Sequence, residues 1–245
     1  MVVRCLNLGI RNLSNNTLVY KMIYLFTNLE YGKPFLSTAS RLAKLESLDI
    51  TVVLSNKRPR GNRRIDWLKV GLTQRMQNEK NRRDVQRRFQ LPVKVVLNVN
   101  SVGFADTVDR NDHGIIAGFN QIFKRTLIDR FKSLANIHPS LLPYYRGPTP
   151  GYWCMENGEE QTGFTLHKVG EKIDRGEILY QDTVPIELGE TLDNLMLRIG
   201  LQAQSSFREY LLALDQGRVF KRRVVNARCI YKVHVDYKSF PPTVK

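Results

Sequence analysis

From Met22 onward, short apolar runs alternate with longer segments in which apolar residues recur every three or four positions. Ile23–Thr27, Ile50–Ser55, Val93–Asn98, His113–Gly118 and Leu134–His138 read as strands, because their apolar character is too continuous for a face turned to water. Pro34 stands where a first helical turn would begin, so Phe35–Lys44 reads as a helix. Ser101–Arg110 and Lys124–Phe131 read as two more. This alternation predicts an α/β fold with a mostly parallel, twisted sheet flanked by helices.

The texture changes after His138. Pro139 to Pro150 is rich in Pro and Gly and predicts an extended loop. A short helix is expected over Gly151–Asn157, strands over Gly163–Lys168 and Glu177–Pro185, and a long helix over Thr191–Asp215. Leu192, Leu195, Ile199, Leu211 and Leu214 lie on or near one face of that helix, and Gly217 is a natural stop. Val219–Val235 alternates like an edge strand or hairpin, which would offer an edge for a homodimer. Three parts are therefore expected: an extension over 1–21, a main domain over 22–217 and a short C-terminal appendage over 218–245.

Composition narrows the classes. Cys5, Cys154 and Cys229 are far apart and lack paired spacing, which argues against a disulfide framework or a zinc site and for a reducing compartment. No apolar run reaches the roughly 20 residues that span a bilayer, and a cytoplasmic protein is expected. Met1–Lys21 holds Arg4, Arg11 and Lys21 without acids, so it loosely resembles an organellar transit peptide; a dispensable extension is the favoured reading. The net charge of +15 would suggest a nucleic-acid or membrane partner. Its distribution weakens that idea: Asn56 to Arg88 holds 12 Lys/Arg and 3 Asp/Glu, and 12 − 3 = +9. Such a local stretch is more often a solvated helix or loop, although with Trp67 and Phe89 interleaved it would also suit RNA.

The residues with chemical promise cluster at one place in the pattern. Asn136-Ile137-His138-Pro139-Ser140-Leu141-Leu142-Pro143 lies at the C-terminal end of an expected strand, where open α/β sheets place their sites. An imidazole there can exchange protons near neutral pH, and Asn136, two residues earlier, shares its face of the strand. An amide so placed can donate to an oxygen that becomes negative when a carbonyl is attacked. Asp174, in the Gly-terminated turn Lys172 to Leu179, could hold a protonated imidazole. Without Gly-x-Gly-x-x-Gly in the first strand–helix loop, the Rossmann-like pattern does not imply a nicotinamide cofactor. His167 reads as a lining or surface residue, His113 and Asp112 as a turn, and nothing has metal-ligand spacing.

Taken together, Asn136 to Pro143, the loop Arg146 to Pro150, Thr162-Gly163-Phe164-Thr165-Leu166-His167 and Asp174-Arg175-Gly176-Glu177-Ile178 closely resemble the folate-dependent formyltransferase family. The resemblance runs from about Met22 to about Asp215. It implies a 10-formyltetrahydrofolate donor, no metal, and attack by an amine on the formyl carbon. It further implies that Asn136 and His138 donate to the developing oxyanion while Asp174 orients His138. Contacts to the folate are implied for Gly118, Phe119, Asn120, Gln121, Ile122 and Phe123, and for Ser140, Leu141, Leu142 and Pro143.

The acceptor is less legible. Tyr144-Tyr145-Arg146-Gly147, Trp153 and Asn157-Gly158-Glu159 resemble the amino-sugar branch, which acts on nucleotide-linked sugars. Arg146-Gly147-Pro148 and Tyr152-Trp153 also resemble the catalytic domain of methionyl-tRNA formyltransferases, whose further C-terminal domain would not fit in the 28 residues after Gly217. Glycinamide ribonucleotide formyltransferases carry a glycine-rich phosphate loop where this chain reads Thr27-Asn28-Leu29-Glu30-Tyr31-Gly32. A nucleotide-linked amino sugar is therefore the expected acceptor, with the other two acceptors and an RNA-binding relative of low activity as alternatives.

Overall fold

A computed structural model describes residues 21–55 and 67–232. The expected N-terminal extension lies outside them except for Lys21, as do residues 233–245. Five parallel strands form first: β1 (Ile23–Thr27), β2 (Ile50–Ser55), β3 (Val93–Val96), β4 (His113–Ala117) and β5 (Ser133–His138). Two antiparallel strands, β6 (Gln161–Lys168) and β7 (Ile178–Pro185), complete a seven-stranded sheet in the order β3-β2-β1-β4-β5-β6-β7. The order reverses between β1 and β4, so the crevice for a ligand opens at their C-terminal ends.

One face of the sheet is covered by α1 (Lys33–Leu45) and α6 (Leu192–Gln216), which pack along each other with the Phe35 and Phe207 rings 5.1 Å apart. Leu25, Val52, Ile115, Ile137 and Leu166 meet these helices in a continuous hydrocarbon core. The basic stretch, from Trp67 on, is a helix, α2 (Trp67–Phe89). Val85 enters the core while Arg83, Arg87 and Arg88 stand in solvent, paired with Glu79 or Asp84 one turn away.

The opposite face differs from expectation. The two helices read over Ser101–Arg110 and Lys124–Phe131 are single turns, α3 (Val102–Ala105) and α4 (Arg125–Ile128). Each carries too few apolar positions for a long stripe, and Gly103 weakens the first. Rings do the covering instead: Tyr24, Phe26, Phe104, Phe123 and Phe131 form an edge-to-face cluster. Asp112 and His113 stand at the start of β4 and are buried there, and the Asp112 carboxylate accepts from the Met22 and Asp109 amides.

The hairpin expected over Val219–Val235 does not form within the described residues. That segment makes one parallel bridge, Arg223 beside Tyr180, then a 3-10 turn at Ala227–Cys229. It runs as a strap along the free edge of β7 and under the loop after β5, where Tyr231 joins a third small core with Leu141, Tyr145 and Cys154. Edge pairing and this core, not strand alternation, dictate its path.

Candidate active site

Asn136 and His138 project from the end of β5 onto the face covered by turns and rings. Parallel register sets Asn136 beside Ile116 of β4, and antiparallel register sets it opposite His167 of β6. His138 pairs with Thr165 in the same ladder. The motif glycines allow the neighbouring chains to close in. A methyl group on Gly163 would lie 2.0 Å from the Asp182 carbonyl and 2.8 Å from Leu141, and one on Gly176 would lie 1.7 Å from the Lys168 carbonyl. With Gly176 tucked against β6, the preceding turn carries Asp174 over the two strands.

Three of the expected residues therefore meet. The Asp174 carboxylate lies 3.6 Å from Nδ1 of His138, an ion-pair distance rather than a hydrogen bond. It accepts from the Gly147 amide at 2.9 Å, and Arg146 Nε donates to the Asp174 carbonyl. His138 Nε2 is 2.9 Å from the Tyr145 carbonyl; a carbonyl only accepts, so Nε2 carries the hydrogen and Nδ1 is the position facing Asp174. Both side chains are nearly sealed, 5% and 10% exposed, whereas Asn136 is half-buried and can meet a ligand.

The pattern of residues missed a fourth member. Of the two readings given to His167, lining holds and surface does not: it is 2% exposed and lies inside this cluster. Its Nδ1 donates to the Lys168 carbonyl at 2.8 Å, which leaves Nε2 as an acceptor 3.1 Å from the Asn136 amide nitrogen. Nε2 is also 3.7 Å from Asp174. Burial first, and then the neighbouring His138, push the pKa of His167 down to about 4 against the opposing pull of Asp174. A neutral His167 fixes which way the Asn136 amide points, leaving its second N–H for another acceptor. The only sequence signal was that Thr165 and His167 share a strand face; that this face meets Asn136 is a matter of register.

The residues expected to touch folate divide into two sets. Gly118, Asn120 and Ile122 are exposed, Phe119 and Gln121 are half-buried, and Phe123 is part of the aromatic core. Phe119 packs 5.5 Å from Phe26, and Ile122 is 65% exposed. Gln121 braces this loop, donating to Ser55 and accepting from the Val99 amide. Ser140, Leu141 and Leu142 point inward and are fully buried, and Pro143 faces solvent after a cis peptide bond. A cavity of about 70 Å³ lies at the ends of the first strands, lined by Thr27, Asn28, Ser55, Asn78, Asn81 and Asn120 among others. No helix among the described residues is long and apolar enough to cross a membrane.

Such a cluster can donate to an oxygen gaining negative charge and hold a proton on an imidazole beside a carboxylate. Residues 41–211 match the family model described as formyl transferase. The chain belongs to the formyl transferase family. Among curated relatives, a GDP-perosamine N-formyltransferase of Brucella melitensis is 42% identical over 86 residues, 35% of this chain and 33% of the relative. A methionyl-tRNA formyltransferase of Thermotoga neapolitana is 33% identical over 139 residues, 54% of this chain and 44% of the relative. The chain thus spans less than half the length of these relatives in the matched regions. A 4-N formyltransferase structure from Francisella tularensis shares the fold, with a TM-score of 0.62 at 19% identity, over 89% of this chain and 76% of that one.

Proposed function

We propose that this formyl transferase family member moves a formyl group from 10-formyltetrahydrofolate to a primary amine carried on a nucleotide-linked sugar. The observation that carries the reading is the meeting of Asn136 and His138, from the end of β5, with Asp174, from the turn before β7, where Asn136 stays half-buried. The donor supplies an activated formyl carbonyl. The loop Gly118 to Phe123 suits its flat ring, because the exposed Ile122 and half-buried Phe119 offer apolar surface beside hydrogen-bonding backbone.

Asn136 uses the N–H not committed to His167 to donate to the formyl oxygen as negative charge develops there. A well-placed donor of this kind contributes about 3–4 kcal/mol. His138 holds a proton at Nδ1 beside Asp174, donates toward the same oxygen, and returns a proton to the leaving nitrogen. Asp174 faces Nδ1 of His138 at 3.6 Å and is itself held by the Gly147 amide. The acceptor amine loses one proton as the new C–N bond forms, and the His138–Asp174 pair carries it.

The amino-sugar acceptor is supported by the GDP-perosamine relative, whose 42% identity exceeds that of the methionyl-tRNA relative over a shorter span. A second reading, transfer to methionyl-tRNA, draws on the longer match to that relative and on the basic α2. The deciding experiment measures tetrahydrofolate release with dTDP-, UDP- and GDP-linked amino sugars, glycinamide ribonucleotide and methionyl-tRNA. Turnover with a sugar nucleotide supports the first reading; turnover with methionyl-tRNA alone replaces it with the second.

A further inference from the structure

His138 and Asp174 are both gripped by one short loop. Tyr145 accepts from His138 through its carbonyl, Gly147 donates to the Asp174 carboxylate, and Arg146 donates to the Asp174 carbonyl. That loop is not held by regular structure. Tyr145 adopts a left-handed backbone conformation, φ 54°, which costs a non-glycine residue about 1–3 kcal/mol unless its surroundings impose it.

What imposes it lies beneath. The Tyr145 ring is fully buried, and its hydroxyl donates to Glu159 at 2.6 Å while accepting from Asn157. Burial, and then the bond to Glu159, raise the Tyr145 pKa, so the hydroxyl stays a donor. Glu159 is itself 4% exposed, and its second oxygen accepts from the Lys232 amide at 2.7 Å. One residue earlier in the strap, Tyr231 packs its ring 4.7 Å from that of Tyr145 and accepts from the Leu141 amide. The strap also donates from the Val225 amide to Gln181, which in turn donates to the Leu142 carbonyl. These links run from the strap to Tyr145 itself and to Leu141 and Leu142, which lead into the loop that orients the two catalytic candidates.

We propose that Glu159 is a positioning residue for His138, acting through Tyr145, and that the strap ending at Tyr231–Lys232 locks it in place. The proposal rests on the reading of His138 as catalytic. Glu159 touches neither donor nor acceptor; it fixes the carbonyl that selects the His138 tautomer and, by the same loop, the amide that holds Asp174. Its loss should slow the chemical step and leave substrate binding unchanged.

The test uses the full chain with Glu159→Gln, Tyr145→Phe and, as a milder third variant, Tyr231→Phe. In the acceptor assay, Glu159→Gln and Tyr145→Phe are expected to lower kcat about tenfold with both KM values within about twofold. On a His138→Ala background, neither should reduce the residual rate further. A readout independent of turnover is the His138 Nε2–H proton in the NMR spectrum, assigned by its loss in His138→Ala; it should exchange with solvent at least tenfold faster in Tyr145→Phe. A merely structural role predicts lowered melting temperatures with wild-type kcat and unchanged exchange, and that result would overturn the proposal. If the first two variants do not fold, unchanged kcat and exchange in Tyr231→Phe would overturn it equally. If His138→Ala keeps normal turnover, the catalytic reading falls and takes this one with it; if His138→Ala is inactive while the others are normal, only the positioning role falls.

Discussion

The parallel and antiparallel halves of the sheet bury different things. Strands β1, β2 and β4 meet α1 and α6 through Leu25, Val52 and Ile115, with hydrocarbon against hydrocarbon. Strands β5 to β7 share that core through Ile137 and Leu166, but they also bury Asn136 in part and His138, Thr165, His167 and Gln181 almost wholly, and each of these is hydrogen-bonded. A hydrophobic core is non-directional and tolerates substitution of similar volume, whereas a buried polar network demands particular partners. The first half is a frame; the second is where geometry is specified.

That contrast can be broken most sharply by swapping the type of damage. Substituting His138→Ala or Asp174→Ala is expected to lower formyl transfer on the order of 10²–10⁴-fold with little change in the circular dichroism spectrum. Near-normal turnover in either would dissolve the assigned cluster. Leu25→Ala should do the reverse, lowering stability in urea by about 2–5 kcal/mol while kcat per folded molecule holds. If Leu25→Ala instead lowered kcat alone, the division between frame and chemistry would be wrong.

A smaller effect sharpens the second half. His167→Ala should reduce kcat about ten- to a hundredfold, because the Asn136 amide loses the acceptor that orients it, and His167→Gln, which keeps an acceptor, should recover part of the loss. Equal rates in the two variants would assign His167 a packing role only.

Acidity offers a gentler probe of both halves. Burial leads the causes that push His113, at the foot of β4, and His167, in the cluster, from the ordinary 6.5 down to about 4. Between those values the unfolded chain binds protons that the folded one refuses, so these groups make stability fall as pH drops from about 6.5 to about 4. His113→Gln and His167→Gln should each flatten part of that slope in urea titrations at stepped pH. A slope unchanged by both would show that carboxylates control the acid limb. Smallest of all, Glu79→Gln on the exposed face of α2 should leave kcat and stability unaltered, since its partners Arg82 and Arg83 are solvated.

Legibility followed the same division. The strands at Ile23–Thr27 and Ile50–Ser55 came out as read, because buried parallel strands are apolar throughout and their ends carry turn residues. The helices on the ring-covered face shrank to single turns, because Phe104 and Leu127 anchor isolated contacts that a periodicity argument extends too far. Val219–Val235 read as an edge strand or hairpin because alternation is all a sequence offers; up to Lys232, the vacant edge of β7 and the Glu159–Tyr145 pocket decide its course.

By itself the sequence determined the α/β alternation, the family resemblance and the pairing of Asn136 with His138, since two residues on one strand share a face whatever surrounds them. It also placed Asp174 in a glycine-ended turn. Only the tertiary structure decided that His167 faces Asn136, that the loop Tyr145 to Gly147 grips both His138 and Asp174, and that the strap lies beneath it. Those contacts join residues far apart in the chain through strand register and buried hydrogen bonds, and neither leaves a local pattern to be read.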